Sequence, residues 1–406
     1  MLFAHLADCH IGAWRDEKLK DLNTEAFLKA TQICIDKKVD FILISGDLFN
    51  TSLPSIDHLK AVVGKLKELK DNKIPVYIIA GSHDFSPSGK TIIDVLEKAG
   101  LSKNVFDGTI KDKKLKLNFV VDEKTGAKIT GIIGKKGMLD KTLYEQLDKS
   151  SLENEDGYKI FMFHTALSEF KPKELEKMDS APLEFLPKNF NYYAGGHVHY
   201  IFDKKEPGYG LIVYPGALSP TNFKEMEDGC NGFYLVRDDN LEFENIQANN
   251  IFPIKLNCDN KTAQEVEQEI RDDINDKEFM NTIVTIRLKG CLKQGKPSDI
   301  NFKDIFSALY DKSAFFVMRN TSALTSKEFK EMEINTDPSQ TIESELIEKH
   351  IGQIPLAGLD KLKETEITVN LMKILSQEKQ EGETTAVFEE RIKKDLDVVL
   401  RELKLT

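Results

Sequence analysis

The first hundred residues alternate between short apolar runs and segments with helical periodicity. Residues 2–7, 40–45 and 75–80 are rich in the side chains that favour buried strands. Between these runs, 22–37 and 55–70 repeat apolar residues three or four positions apart, which predicts amphipathic helices. The chain therefore opens with strands that are joined by helices.

The next part of the chain extends this pattern into a second group of strands. We expect a helix at 90–99, hairpin-like segments over 104–136, and strands at 159–164, before Ala194 and at 210–214. A βαβ start followed by antiparallel strands indicates a layered α/β or α+β sandwich.

The pattern changes near residue 250. A small α+β domain is expected from helices at 263–275 and 302–310 and strands at 282–288 and 313–318. The chain then becomes charged and helical, with candidate helices at 341–350, 366–378 and 384–404. We therefore expect three domains, at 1–249, 250–338 and 339–406.

Composition restricts the class of protein. The chain has 406 residues and a net charge of −11, so its overall charge gives no support for nucleic-acid binding, although a local groove or bound metals can supply a positive field. Five cysteines without CxxC pairing argue against a disulfide scaffold or a thiolate zinc site. The amino terminus does not resemble a signal peptide and no apolar stretch is long enough to span a bilayer. We expect a cytoplasmic protein.

Metal-ligand side chains follow five strand-like segments. Asp8 and His10 lie two positions apart, so an extended backbone would point both side chains the same way. Histidine and carboxylate ligands without thiolate suit Mn, Fe or Zn, and a shared carboxylate is the usual way to pair two ions for phosphoester displacement. The candidate residues at the five places are Asp8 and His10; Asp47; Ser82, His83 and Asp84; His164; and His197 and His199.

The order of these motifs resembles the calcineurin-like metallophosphoesterase superfamily. More narrowly, "HLADCHIG", "ISGDLFN", "GSHD", "FHTAL" and "GHVH" look like the DNA double-strand-break repair nuclease family of meiotic recombination eleven and SbcD. The motif similarity covers about residues 1–220. The resemblance implies an α/β fold: a metallophosphoesterase β-sandwich flanked by helices (αββα), a small α+β capping domain and a C-terminal helical hairpin.

The resemblance also assigns roles residue by residue. One ion would be held by Asp8, His10, Asp47 and His199. Asp47 would bridge to a second ion, which His164 and His197 also bind. Relatives place Asn where this chain has Ser82, and a serine hydroxyl is a poorer metal ligand. His83 matches the histidine that contacts phosphate without binding metal. Asp84 is expected to lie next to the ligands and hold them in place without binding a metal itself.

By this resemblance the protein is a Mn-dependent nuclease with two Mn²⁺, Mg, Fe or Zn being alternatives. Double-strand 3′–5′ exonuclease and single-strand endonuclease activities are implied at DNA ends, and the protein would be nucleoid-associated. The partners implied are DNA, an SMC-like coiled-coil ABC ATPase that binds residues 339–406, and a second copy that binds through helices near 55–70 and 90–99.

Other interpretations stay open from the sequence. The chain could be a metallophosphodiesterase that acts on a small nucleotide or phosphoprotein, or a scaffold whose second metal site decayed at Ser82. Trp14, Arg15 and Lys90 are candidate DNA contacts, and for Trp14 a role as a buried anchor is an equal alternative.

Overall fold

Two six-stranded sheets form the centre of the amino-terminal part of the protein. The computed structural model describes residues 1–86, 89–135, 141–327, 361–377 and 385–402. The strands of the two sheets and of one hairpin are β1 (Leu2–Leu6), β2 (Phe41–Ser45), β3 (Val76–Ile79), β4 (Lys103–Asn104), β5 (Gly108–Lys111), β6 (Lys114–Leu117), β7 (Val120–Val121), β8 (Lys128–Ile132), β9 (Lys159–His164), β10 (Tyr192–Gly196), β11 (Phe202–Glu206), β12 (Gly210–Tyr214), β13 (Gly232–Arg237) and β14 (Asn240–Asn245). The helices between them are α1 (Leu22–Asp36), α2 (Ile56–Asp71), α3 (Ile92–Lys98), α4 (Lys141–Glu145), α5 (Lys149–Glu153) and α6 (Phe223–Asp228).

The first sheet has the strand order β14-β13-β1-β2-β3-β4, and β1 to β4 run parallel. The second has the order β11-β12-β10-β9-β8-β7. The expectation of antiparallel strands in this second group is wrong for its centre. There β8, β9, β10 and β12 are parallel, and only the edge strands β7 and β11 run antiparallel to their neighbours. Chain segments that cross back over the sheet between these strands allow the parallel arrangement.

The sheets pack face to face, with helices outside. Aromatic and aliphatic residues such as Phe41 and Leu43 of the first sheet share one buried cluster with Ile160 and Met162 of the second. The opposite face of the first sheet packs on α1, α2 and α3, and that of the second on α4 and α5. The expected αββα sandwich is thereby confirmed. Because each sheet is covered on both faces, β2 and β9 are buried along their whole length. Their sequences are therefore nearly continuous apolar runs.

A small three-stranded parallel sheet follows. Its strands are β15 (Asn250–Asn257), β16 (Thr282–Leu292) and β17 (Phe316–Ser326), and they alternate with α7 (Ala263–Ile274) and α8 (Phe302–Asp311). α7 begins at a capping box, in which Thr262 and Glu265 each bond the other's backbone. These elements enclose a separate apolar core, which includes Val266, Ile286 and Leu309.

The chain divides into two units, Met1–Glu328 and Phe329–Thr406. The second unit contains α9 (Lys361–Leu375) and α10 (Thr385–Glu402), close to the helices expected at 366–378 and 384–404. The helix expected at 341–350 lies outside the described residues. The three domain boundaries stay predictions. None of the helices in the described ranges is long and apolar enough to cross a bilayer.

Candidate metal centre

The expected ligands meet at the carboxyl ends of strands from both sheets. β1, β2 and β3 of one sheet and β9 and β10 of the other end at the same edge of the sandwich. A cleft of about 230 Å³ opens there. Its lining consists of His10, Ala13, Asp47, Asn50, Ser82, His83, His197, His199 and Thr221. Asp8 and His164 lie buried beneath it, within reach of Asp47.

The ligand loops have an unusual backbone conformation. Asp8, His10, Asp47 and His197 all have positive φ, at 48°, 43°, 50° and 85°. The extended backbone considered for Asp8 and His10 is absent, because β1 ends at Leu6 and the chain then turns. Left-handed conformations of non-glycine residues are costly and cluster at functional sites. The sharp turns here bring four polar side chains into one small volume.

Gly46 allows this close approach. Its φ is +88°, and a Cβ added there would lie 2.2 Å from Nδ1 of His164. A side chain at this position would therefore separate the loop after β2 from the imidazole at the end of β9. This explains why the Asp47 motif needs a glycine directly before the aspartate.

Asp47 lies at the centre of the cluster. Its Oδ2 is 3.3 Å from Nε2 of His164 and 3.7 Å from Nε2 of His10, while Oδ1 accepts a 2.7 Å hydrogen bond from the backbone N–H of His83. Burial opposes ionisation, but His164 and His10 hold the pKa of Asp47 well below its usual range. The carboxylate is therefore charged and faces ligands on two sides, as a bridging ligand requires.

One candidate site is formed by Asp8, His10 and His199. Nε2 of His10 lies 3.1 Å from Nε2 of His199, and each nitrogen is 3.9 Å from Oδ1 of Asp8. Metal–nitrogen bonds of about 2.0–2.1 Å place neighbouring ligands about 3 Å apart. Burial lowers the pKa of His10 to about 3, so this imidazole is neutral, the form that binds a metal. The donor set fits a divalent cation.

A second candidate site is formed by Asp8, Asp47 and His164. Nδ1 of His164 donates to the carbonyl of Ser45 at 2.8 Å, and its buried Nε2 lies 3.3 Å from Oδ2 of Asp47. The Ser45 contact therefore directs Nε2 towards the carboxylate with which it would share a cation. Burial lowers the pKa of His164, but the neighbouring Asp47 has the larger total effect and raises this pKa to about 10 when no cation competes for the nitrogen.

His197 and Ser82 flank this second site. The His197 ring centroid lies 5.3 Å from that of His164, and burial lowers the pKa of His197 to about 4. Oγ of Ser82 is 3.5 Å from Oδ2 of Asp47. The Ser82 hydroxyl is thus close enough to join a cation shared with Asp47, whereas His197 lies beside His164 and belongs to none of the ligand groups that contain Asp47.

His83 and Asp84 have different surroundings. Nδ1 of His83 donates to the carbonyl of Asn50 at 2.9 Å, so its Nε2 is left to face the cleft. Asp84 is fully buried and accepts from the backbone N–H groups of Gly81 and Phe49, at 2.9 and 3.2 Å. Burial raises the pKa of Asp84 to about 7. Asp84 therefore ties the loop after β3 to the loop after β2.

Sequence reasoning missed Glu225. Its Oε1 accepts a 2.8 Å hydrogen bond from Nδ1 of His199, and Nε2 of His199 faces Nε2 of His10 at 3.1 Å. Burial raises the pKa of Glu225, but the hydrogen bond and the charge of His199 lower it to about 2. A carboxylate that orients a ligand histidine is a common support of metal sites. The only sequence signal is its place three residues after Asn222, which reads simply as a helix cap.

None of the candidate DNA contacts Trp14, Arg15 and Lys90 lines the cleft. The Trp14 indole is half-buried and donates to the carbonyl of Pro220 at 2.8 Å, as an anchor would. Arg15 and Lys90 are exposed. Residues 87 and 88, directly before the loop that carries Lys90, lie outside the described residues.

Comparisons with known proteins agree with this geometry. Residues 1–200 match the family model "Calcineurin-like phosphoesterase". A protein of Methanococcus maripaludis named "DNA double-strand break repair protein Mre11" is 28% identical over 323 residues, which cover 77% of this chain and 79% of that protein. A protein of the same name from Methanocaldococcus jannaschii is 29% identical, over 83% of this chain and 86% of that one. The chain therefore carries a calcineurin-like phosphoesterase domain and is a homologue of these archaeal proteins.

Proposed function

We propose that this protein is a Mn²⁺-dependent DNA nuclease that processes the ends of double-strand breaks. The observation that carries the proposal is the convergence of Asp8, His10, His164 and His199 around Asp47, in a cleft that His83 and His197 also line. The archaeal relatives are named as DNA double-strand break repair proteins, which supports DNA as the substrate. Duplex 3′–5′ exonuclease and single-strand endonuclease activities belong to the same proposal.

The proposed centre binds two Mn²⁺ ions. Asp8, His10, Asp47 and His199 would hold one ion, and Asp47, Ser82, His164 and His197 the other. Two divalent cations at such a centre polarise the scissile phosphate and lower the pKa of the attacking water.

His83 supplies the proton in this proposal. The Asn50 carbonyl accepts from its Nδ1, so Nε2 is the atom that can carry a proton towards the leaving 3′-oxygen. The backbone N–H of the same residue fixes Oδ1 of Asp47. The position of the His83 side chain is therefore linked to the position of the Asp47 carboxylate.

Dimerisation through α2 and α3 is supported by exposed apolar side chains on these helices and just before α2. Ile56 of α2 and Val95 of α3 are 82% and 59% exposed, and Leu53, three residues before α2, is 83% exposed. Large apolar groups with this exposure on neighbouring elements are typical of an interaction surface. We propose that a second copy of the chain covers them.

The helical unit is the proposed binding site for an SMC-like coiled-coil ABC ATPase. Phe388, Ile392 and Leu396 of α10 are half-buried and Val399 is buried, so these apolar side chains are already covered in part. Leu375 of α9 is 67% exposed and offers an apolar contact. Loss of the ATPase in a pull-down after truncation at residue 340 would support this site, whereas retention would contradict it. The proposal places the protein in the cytoplasm, associated with the nucleoid.

Hydrolysis assays test the nuclease proposal. With Mn²⁺, the purified protein should degrade linear duplex DNA and cut circular single-stranded DNA. His83→Ala should lower cleavage about 10²–10⁴-fold, the usual contribution of a general acid, while calorimetry still detects bound Mn²⁺.

His58→Ala is the matched control, because the His58 imidazole hydrogen bonds with Thr24 and does not line the cleft. Its cleavage rate should equal that of the wild type. Hydrolysis of bis(p-nitrophenyl) phosphate but not of DNA would refute the proposal and favour an enzyme of small phosphodiesters. No hydrolysis of either substrate would favour a scaffold.

A further inference from the structure

The short helix α6 lies between the metal centre and the small sheet. It begins after Asn222, whose side chain accepts from the Glu225 backbone, and ends at Gly229 with φ 62°. Met226 packs in one apolar cluster with Leu19 and Leu22, near the first metal motif, and with Ile283 of β16. Movement of the small sheet therefore reaches α6 through direct contacts.

The Glu225 carboxylate is held by four hydrogen bonds. Oε1 accepts from Nδ1 of His199 and Nδ2 of Asn222, at 2.8 and 2.5 Å. Oε2 accepts from the backbone N–H and the hydroxyl of Thr221, at 2.8 and 2.9 Å. Rotation of this carboxylate would break several bonds at once, so its position follows the position of α6. Glu225 in turn holds Nδ1 of His199 and so fixes the direction of its Nε2.

An ion pair attaches the other side of α6 to the small sheet. Glu227 is 7% exposed, and Nε of Arg287 on β16 lies 2.8 and 3.1 Å from its two oxygens. The Arg287 guanidinium lies 5.0 Å from the ring centroid of Phe223, one helical turn before Glu227. Lys255, the register partner of Arg287 on β15, is 3.7 Å from the same carboxylate. Because residues two apart point to different sides of a helix, Glu225 faces the centre and Glu227 faces the sheet.

We propose that Glu225 is a positioning residue for His199, and that the Glu227–Arg287 pair makes metal binding at His199 depend on the position of the small sheet. The proposal rests on the metal centre proposed above. α6 acts as the connecting element, so a ligand that displaces the small sheet changes the affinity of the centre for its cation.

Glu225→Gln tests the first part. Each oxygen of the Glu225 carboxylate accepts two hydrogen bonds, whereas a glutamine amide has one oxygen and one NH₂ group. Either His199 or Thr221 therefore loses its acceptor. Mn²⁺ affinity should fall about 10–100-fold, the usual effect of losing such a support. Calorimetry with Mn²⁺ alone measures this affinity. The binding event to compare is the one that is lost in the His199→Ala variant. The far-ultraviolet circular dichroism of the metal-free variant should equal that of the wild type.

A double-mutant cycle with Arg287→Gln tests the second part. Lys255 remains beside Glu227, so the buried carboxylate is not left without a cation. Arg287→Gln should lower Mn²⁺ affinity several-fold in the wild type and have no further effect in Glu225→Gln. Arg271→Gln is the matched control, because Arg271 pairs with Glu267 within α7 of the same small domain. This control should leave Mn²⁺ affinity unchanged.

Equal losses from Arg287→Gln in both backgrounds, or no loss in the wild type, would overturn the coupling. Unchanged affinity in Glu225→Gln would overturn the positioning role. If Glu225→Gln does not fold, Thr221→Val replaces it in the cycle, because it removes one hydrogen bond of the Glu225 carboxylate. These measurements use no DNA, so a failure of the nuclease proposal would show separately as absent cleavage by a protein that binds Mn²⁺ normally.

Discussion

Replacing Gly81 by alanine should displace the loop that carries Ser82 and His83. A Cβ at this position would lie 2.3 Å from Oδ1 and 2.4 Å from the backbone nitrogen of Asp47, and 2.7 Å from Cε1 of His164. These distances are about 1 Å shorter than ordinary van der Waals contact. Two of the three atoms belong to a buried carboxylate and to backbone, so the loop itself has to move.

The expected effects follow from that displacement. Overpacking of a close contact costs about 1–3 kcal/mol of unfolding free energy. A shift of about 1 Å at catalytic groups can lower the rate about 10²-fold. The backbone N–H of His83 would also lose its 2.7 Å bond to Asp47, which weakens Mn²⁺ binding.

Urea unfolding, Mn²⁺ calorimetry and duplex cleavage measure the three effects. Gly64→Ala is the matched control, because a Cβ at this position in α2 meets nothing within 4 Å. It should raise stability by up to about 1 kcal/mol through helix propensity and leave Mn²⁺ affinity unchanged. Wild-type affinity and cleavage in Gly81→Ala would refute the close packing described for this loop.

Three further predictions concern the second metal site, pH and dimerisation. Ser82→Asn should tighten Mn²⁺ binding in calorimetry, because an amide oxygen is a better ligand than a hydroxyl; unchanged affinity would show that the serine suffices. Burial lowers the pKa of His5 from 6.5 to about 3, so the unfolded chain takes up a proton first and stability is lost as pH falls below about 6.5. The loss of unfolding free energy is up to about 1.4 kcal/mol per pH unit. Urea unfolding in EDTA at pH 7 and pH 5 measures it, and the loss should be smaller in His5→Gln than in the wild type. Equal losses would contradict the role given to His5. Ile56→Asp should convert a dimer to a monomer in light scattering with little change in monomer stability, whereas a dimer that survives, or a monomeric wild type, would contradict the proposed interface.

The layers of the fold and the place of the ligands could be predicted because they depend on local patterns. β2 and β9 are continuous apolar runs, and Asp47 and His164 stand where these runs end. The ends of neighbouring strands meet at one edge, so the residues there assemble without further information. Strand direction in the second sheet was not predictable, since it depends on how long connections cross the sheet.

The details of the centre depend on contacts distant in sequence. Glu225 approaches His199 across 26 positions, and the Asn50 carbonyl that orients His83 is a backbone atom with no sequence signature. The left-handed backbone at Asp8 and His10 likewise follows from packing against the loop after β2, where their N–H groups donate to the carbonyls of Gly46 and Asp47. None of these contacts can be read from residue type or spacing.

Crystals soaked in Mn²⁺ and measured at the manganese absorption edge would show whether these ligands form a two-ion centre. We predict two anomalous peaks about 3.5–4 Å apart with Asp47 between them, one beside His10 and His199 and the other beside His164 and His197. A single peak, or two peaks that do not share Asp47, would contradict the claim.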